Sequence, residues 1–267
     1  MKLAWAFFKR DALIAVSYRL SFILSIVEVF TILTVFFYLG KTFGERDIPA
    51  LARYGGSFLA FLLIGVALTD CVTLSLTTFA QQIREGQMTG TLETTLMSPV
   101  KLSLILIYSS LWAYFFSAVR LVLYLIVGGM LYHVSMHRAN LASAIAIFVL
   151  TVLCFMGLGM LWAGVVLLMK RGEAIMHLMG YVVVLMSGVL FPSGLLPVWV
   201  QQIGSLIPLT HALEGMRLAL LQGQTLHELA PIIFKLIAFA AVFQVIGIYG
   251  FNLAVSTTKK VGSLAEY

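Results

Sequence analysis

The chain has 267 residues, 61% of them hydrophobic and only 10% charged, whereas ordinary soluble domains carry roughly a quarter charged side chains. With a mean hydropathy of +1.03, it has more apolar surface than a water-soluble fold can hide, so the bilayer is its solvent. The net charge of +6 is scattered, with no Lys/Arg run longer than two residues, which sets nucleic-acid binding aside and reads instead as loop charge that fixes orientation.

The two cysteines, Cys71 and Cys154, both fall in apolar runs and offer neither a disulfide framework nor a metal-ligand spacing. Residues 1–19 mix Trp5, Phe7, Phe8, Leu13 and Ile14 with Lys2, Lys9, Arg10 and Arg19, as expected of a helix lying at the membrane surface. Its apolar stretch is broken by Lys9-Arg10-Asp11 and lacks a small-residue cleavage site, so it reads as part of the mature chain, not as a signal peptide.

A first span is expected over 20–39, followed by a polar loop with Lys41, Glu45, Arg46, Asp47 and Arg53, and a second over 58–79. Residues 81–101 form the longest polar interruption. Ser98-Pro99 at its end supplies an N-cap and a first-turn proline for a third span reaching to 131. After His133, His137, Arg138 and Asn140, a fourth span covers 141–169 and stops at Lys170-Arg171-Gly172-Glu173, and a fifth runs to 191. The segment 192–223 is apolar but punctuated by Pro192, Pro197 and Pro208, so no uninterrupted piece of it can cross. It reads as a re-entrant pair of short helices packed on the bundle, because irregular backbone at membrane depth needs protein or a water-filled cavity around it. A sixth span occupies 232–255, with Lys259-Lys260 after it.

On alternate sides of six spans the basic residues divide ten against five, with Arg120 and Lys235 in or at the edge of spans. The richer side is placed in the cytoplasm, with both termini, the 81–101 loop and the 170–173 loop, and the 192–223 hairpin is placed outside. The fold class is therefore an all-α membrane protein in a single domain, with six transmembrane helices, an interfacial amino-terminal helix, a cytoplasmic helix between spans two and three, and an external re-entrant hairpin between spans five and six.

Within the cytoplasmic loop, Leu92, Leu96 and Met97 can form an apolar knob rimmed by Glu85 and Glu93, the alternative being an ordinary capped connection. Pro208 can open a short helix on which His211, Glu214 and Arg217 recur every three residues opposite Leu213, Met216 and Leu220. That stripe either lines an exit or is an interfacial face with a local Glu214–Arg217 pair. Glu28, Asp70 and Arg120 fall inside spans, where ionisable groups face a partner or a cavity; an Arg120–Glu28 pair is the favoured arrangement, against snorkelling or purely structural pairing. His133 and His137 have i,i+4 spacing but no evident third ligand, so metal binding is not expected. Phosphate-loop, His-Glu-x-x-His and Gly-x-Ser-x-Gly motifs are all missing, so no catalytic residue is assigned.

Two segments carry a family resemblance. Glu85-Gly86, then Gly90-Thr91-Leu92-Glu93 and a closing Ser98-Pro99-Val100 look like the coupling-helix loop of an ABC-2 type permease, and the runs 188–199 and 207–217 are similar to that family's signature before its last span. The chain thus resembles the membrane-spanning subunit of an ABC-2 type exporter. The resemblance implies export of an amphipathic cargo (drug, lipid or lipid-linked glycan), a second copy or a related permease chain, and residence in the plasma (bacterial inner) membrane. It also implies a cytoplasmic ABC ATPase subunit that holds ATP and Mg, with no cofactor in this chain. The residues it assigns to ATPase coupling are Glu85, Gly86, Gly90, Thr91, Leu92, Glu93, Leu96, Ser98 and Pro99. An intramembrane enzyme would instead converge catalytic groups around Glu28, Asp70 and the histidines, and a channel would show a polar ring along a pore.

Overall fold

The computed structural model describes residues 2–43, 49–54, 57–132, 138–169 and 173–261. The His133/His137 pair, the 45–47 charges, the Lys170-Arg171 pair, and the side chains of Glu93 and Glu173 lie outside the described residues. Among those described, the regular structure is helical: α1 (Lys2–Ser17), α2 (Arg19–Phe43), a 3-10 turn (Pro49–Tyr54), α3 (Phe58–Met88), α4 (Thr91–Leu96), α5 (Leu102–Tyr132), α6 (Leu141–Met169), α7 (Glu173–Met186), α8 (Val198–Gly204), α9 (Pro208–Arg217) and α10 (Ala230–Val261). Four of them, α3, α5, α6 and α10, are long and apolar enough to cross a membrane. An apolar run, Ile23–Leu39, also lies within α2.

Helix α6 matches its expected bounds because polar residues frame it. Asn140 caps its start, its Oδ1 accepting from the Ser143 amide at 3.1 Å. Helix α2 runs past its expected end at 39 to Phe43 and α10 past 255 to Val261, taking in Lys259 and Lys260; three further boundaries differ for a local reason. The second span continues as helix through the polar stretch to Met88, since Gln81 to Gln87 contain no proline, the one glycine, Gly86, costs only about 1 kcal/mol in a helix, and Ile83 is buried against the end core. The third begins at Leu102, not at Ser98. Ser98 Oγ accepts from the Val100 amide at 3.3 Å and so caps a turn around Pro99, while the Lys101 carbonyl takes the first helical bonds from Leu104 and Ile105. The fifth ends at Met186: Ser187 turns its hydroxyl back onto the Val183 carbonyl at 2.6 Å, and Gly188 takes a left-handed φ of +73° that a side chain would resist.

Helix α6 sits at the centre, against α3 on one side and α10 on the other. Small residues permit the close approach: a Cβ on Gly157 would collide with the Phe243 carbonyl of α10, and one on Gly159 with the Ser75 carbonyl of α3. The α6–α10 seam is stitched by Cys154 Sγ donating to the Leu236 carbonyl at 3.3 Å and Gln244 Nε2 to the Leu153 carbonyl at 2.8 Å. Helix α1 lies against the first half of α5, Phe8 edge-on to Trp112 and Phe115 with centroids 5.4 and 5.6 Å away. Among the described residues the core forms two large clusters and a small one around Ala80 and Val166. One joins the midsections of α3, α5 and α6 to α9, with Leu68, Tyr124, Phe155 and Leu213 fully buried. The other gathers Phe79, Ile83, Leu102, Met160 and Phe251 at one end of the bundle and takes in Leu92 of α4.

Candidate functional site

The expected functional residues fall at three levels of the bundle. At the end that carries α4, the Thr89 amide and hydroxyl both reach the Glu85 carbonyl, at 2.9 and 2.7 Å, and close α3. Gly90 then takes a φ of +68° with open space where a Cβ would stand, so the reversal into α4 is a backbone requirement and not a packing one. Helix α4 is tightened by Thr94 and Thr95 hydroxyls donating to the Thr91 carbonyl at 2.9 and 2.8 Å.

The knob expected from Leu92, Leu96 and Met97 is split by the structure. Leu92 is 5% exposed and points inward, against Gly86 and the end core, and Leu96 is half-buried beside it. Met97 is 87% exposed, and Met88, which sequence reasoning passed over, is 77% exposed. Two bare methionines therefore flank α4, with Glu85, Thr91 and Pro99 exposed around them. Between α1, α3, α4 and α5 opens a cleft of about 460 Å³ whose walls include Arg10, Asp11, Gln82, Glu85 and Thr95.

At mid-height the three charges expected inside spans meet. Arg120 Nη2 donates to Asp70 Oδ1 at 2.9 Å and to Glu28 Oε2 at 3.2 Å, so the expected Arg120–Glu28 pair is present and Asp70 completes it. Asp70 lies twelve residues from the start of α3 and Arg120 twelve from the end of α5, which sets both about 18 Å from the same end of the bundle. Tyr124, one turn along α5, adjoins the guanidinium. The arginine is buried, whereas the Glu28 side chain is 55% exposed on the flank of the single chain. Two carboxylates share one cation.

At the opposite end, α9 is not the two-faced helix its spacing suggested. His211 and Arg217 are buried, as are Leu213 and Met216 on the other face, because α9 is enclosed by α3, α6, α7 and α10. His211 Nε2 meets the Ser205 carbonyl at 2.9 Å, and its ring stacks on Phe239. Glu214 pairs at 2.7 Å with Arg53, so the local Glu214–Arg217 pair, one of the two readings of the stripe, is not what forms. Arg217 instead donates to the carbonyls of Gly188, Val189 and Phe61 at 3.2, 3.0 and 3.3 Å, with its guanidinium 3.3 Å over the Phe61 ring. One side chain thus ties α9 to the start of α3 and to the turn after α7.

Arg53 and Tyr54 belong to this cluster and were not singled out from the sequence. The Arg53 carbonyl also accepts from Gln222 Nε2. Burial pushes the Tyr54 phenol up, Glu214 adds to the rise, and Arg217 and Arg53 oppose it. No local pattern announces these partners, which lie far away along the chain.

A model of the ABC-2 type transporter family matches residues 2–221. No curated protein matches the chain.

Proposed function

The chain belongs to the ABC-2 type transporter family, and on that premise we propose that it is the permease subunit of an ATP-driven exporter, working with a second permease chain and a separate cytoplasmic ABC ATPase. In this reading α2 and α7 join the four long helices to make six crossings, α1 lies at the inner surface, and α8–α9 form an external hairpin that enters the membrane and returns. Both termini are cytoplasmic, and the membrane is the plasma (bacterial inner) membrane. ATP and Mg belong to the partner.

The observation that carries the reading is the build of α4. Leu92 roots it in a core shared with α3, α5, α6 and α10, while Met88 and Met97 stand bare on either side. A push on the methionines reaches the long helices through Leu92 without passing through a soft loop, which is what force transmission requires. Methionine is also suited to an interface that must repack during a cycle. The cargo is amphipathic, and the Glu28–Asp70–Arg120 cluster supplies the polar station beside its path. His211 and Arg217 act by holding the outer hairpin in place, not by lining an exit. Expression of the tagged chain with its untagged ATPase tests the reading: the ATPase co-purifies and hydrolyses ATP with cargo-dependent stimulation. Purification of the chain free of ATPase from cells that make both would refute it.

A further inference from the structure

Arg217 is 3% exposed, yet among the described residues no carboxylate forms an ion pair with it. Its contacts are three backbone carbonyls and two aromatic faces, Phe61 at 3.3 Å and Tyr54 at 5.8 Å. Carbonyl dipoles and ring quadrupoles soften the loss of hydration but leave the full positive charge in place, and a buried ion without a counter-charge is costly. Its Nε–H, buried as well, has no hydrogen-bond partner among the described residues.

This guanidinium borders a cavity of about 90 Å³ between the 3-10 turn Pro49–Tyr54, the turn after α7 and the face of α9. The charged groups around that cavity are Arg53, Glu214 and Arg217. Arg53 and Glu214 cancel at 2.7 Å, which leaves one net positive charge, that of Arg217. Of the hydroxyls on its walls, Ser187 and Thr210 already donate to the carbonyls of Val183 and Gly204. Neither the Ser193 hydroxyl nor the Tyr54 phenol has such a bond among the described residues. Gly188 brings this wall close: a Cβ there would stand 3.2 Å from the Ser193 amide nitrogen. The space equals that of about three waters, enough for a monatomic anion or a short carboxylate and too little for a sugar acid.

We propose that this cavity binds a small monovalent anion, chloride or a short carboxylate, as the counterion of Arg217, held by Arg217 and the Ser193 hydroxyl. The anion completes the latch that fastens α9 and the α7–α8 turn onto α3, so the outer hairpin is tighter in its presence. The inference stands on the cavity alone and does not depend on the family reading.

The test is an anion exchange on the purified protein. In gluconate buffer at constant ionic strength, chloride or acetate is titrated while the unfolding temperature is followed. A saturable rise with chloride, acetate or both is expected, and the two arms identify which anion the cavity takes. Ser193→Ala should still fold and should raise the half-saturating concentration at least about tenfold, since a hydrogen bond to a charged group contributes about 1.5–3 kcal/mol. Arg217→Lys, if it folds, should lose the response. No saturable rise with either anion, or a titration unchanged in Ser193→Ala, would overturn the proposal and leave the cavity to water.

Discussion

Arg120 of α5 and Asp70 of α3 meet at 2.9 Å inside the bundle, with the arginine side chain 10% and the aspartate 21% exposed. At that depth a lost partner is not replaced by water. Arg120→Leu strands two carboxylates and should cost about 3–5 kcal/mol; Asp70→Asn should cost less, because Glu28 at 3.2 Å still neutralises the arginine. Unfolding in mixed micelles measures both, together with the double variant. The pair predicts that the double loss falls well below the sum of the single ones. Additive losses would mean that the two charges act separately.

Leu92 and Met97 sit five residues apart and should respond in opposite ways. Leu92→Ala removes a side chain that is 5% exposed, so stability should fall by about 2–4 kcal/mol. Met97→Asp alters a side chain that is 87% exposed and should leave stability within about 0.5 kcal/mol while weakening retention of the ATPase. Thermal unfolding and pull-down, run on both variants, separate anchor from contact.

Gly90 has a φ of +68° and nothing within 4 Å of an added Cβ. The only cost of a side chain there is the left-handed backbone, about 1–2 kcal/mol. Gly90→Ala should therefore loosen the α3–α4 reversal and reduce ATPase coupling, and Gly90→Asn, which tolerates that region better, should recover part of it. Equal loss in both variants would point to a contact made by the glycine surface itself.

The sequence was legible where polarity marks an edge. Asn140 frames one end of α6, and the helix begins at the next residue, as expected. It was less legible at Ser98-Pro99, where a cap-and-proline pattern serves a turn three residues ahead of the helix. For Glu28, Asp70 and Arg120, counting along the expected spans sets Asp70 in the cytoplasmic half and Arg120 in the outer half, so the Arg120–Glu28 pair was foreseen and the threefold meeting was not; α3 runs on to Met88, which brings Asp70 level with Arg120. Around Arg217 the visible i,i+3 neighbour, Glu214, was misleading, because burial of α9 turns the arginine toward carbonyls of the α7–α8 turn and of Phe61. Such contacts depend on tertiary packing, which local spacing does not encode.

The external hairpin reading predicts a labelling pattern. With Cys71 and Cys154 replaced, single cysteines at Ser193 and Gln222 should react with an impermeant reagent from outside, and one at Gln201 should react weakly or not at all. Labelling of Gln201 from the cytoplasm alone would require two full crossings between 192 and 223 and would overturn the topology.

Cross-linking from single positions tests the central claim most directly. A photoreactive residue at Met97 or Met88 stands on the exposed flanks of α4, whereas one at Met130, 74% exposed, stands at the opposite end of the bundle. In membranes containing both proteins, adducts with the ATPase subunit should form from 97 and 88 and be absent from 130. Adducts from 130, or none from 97 in an assembled complex, would contradict the assignment of this chain as a permease driven through α4.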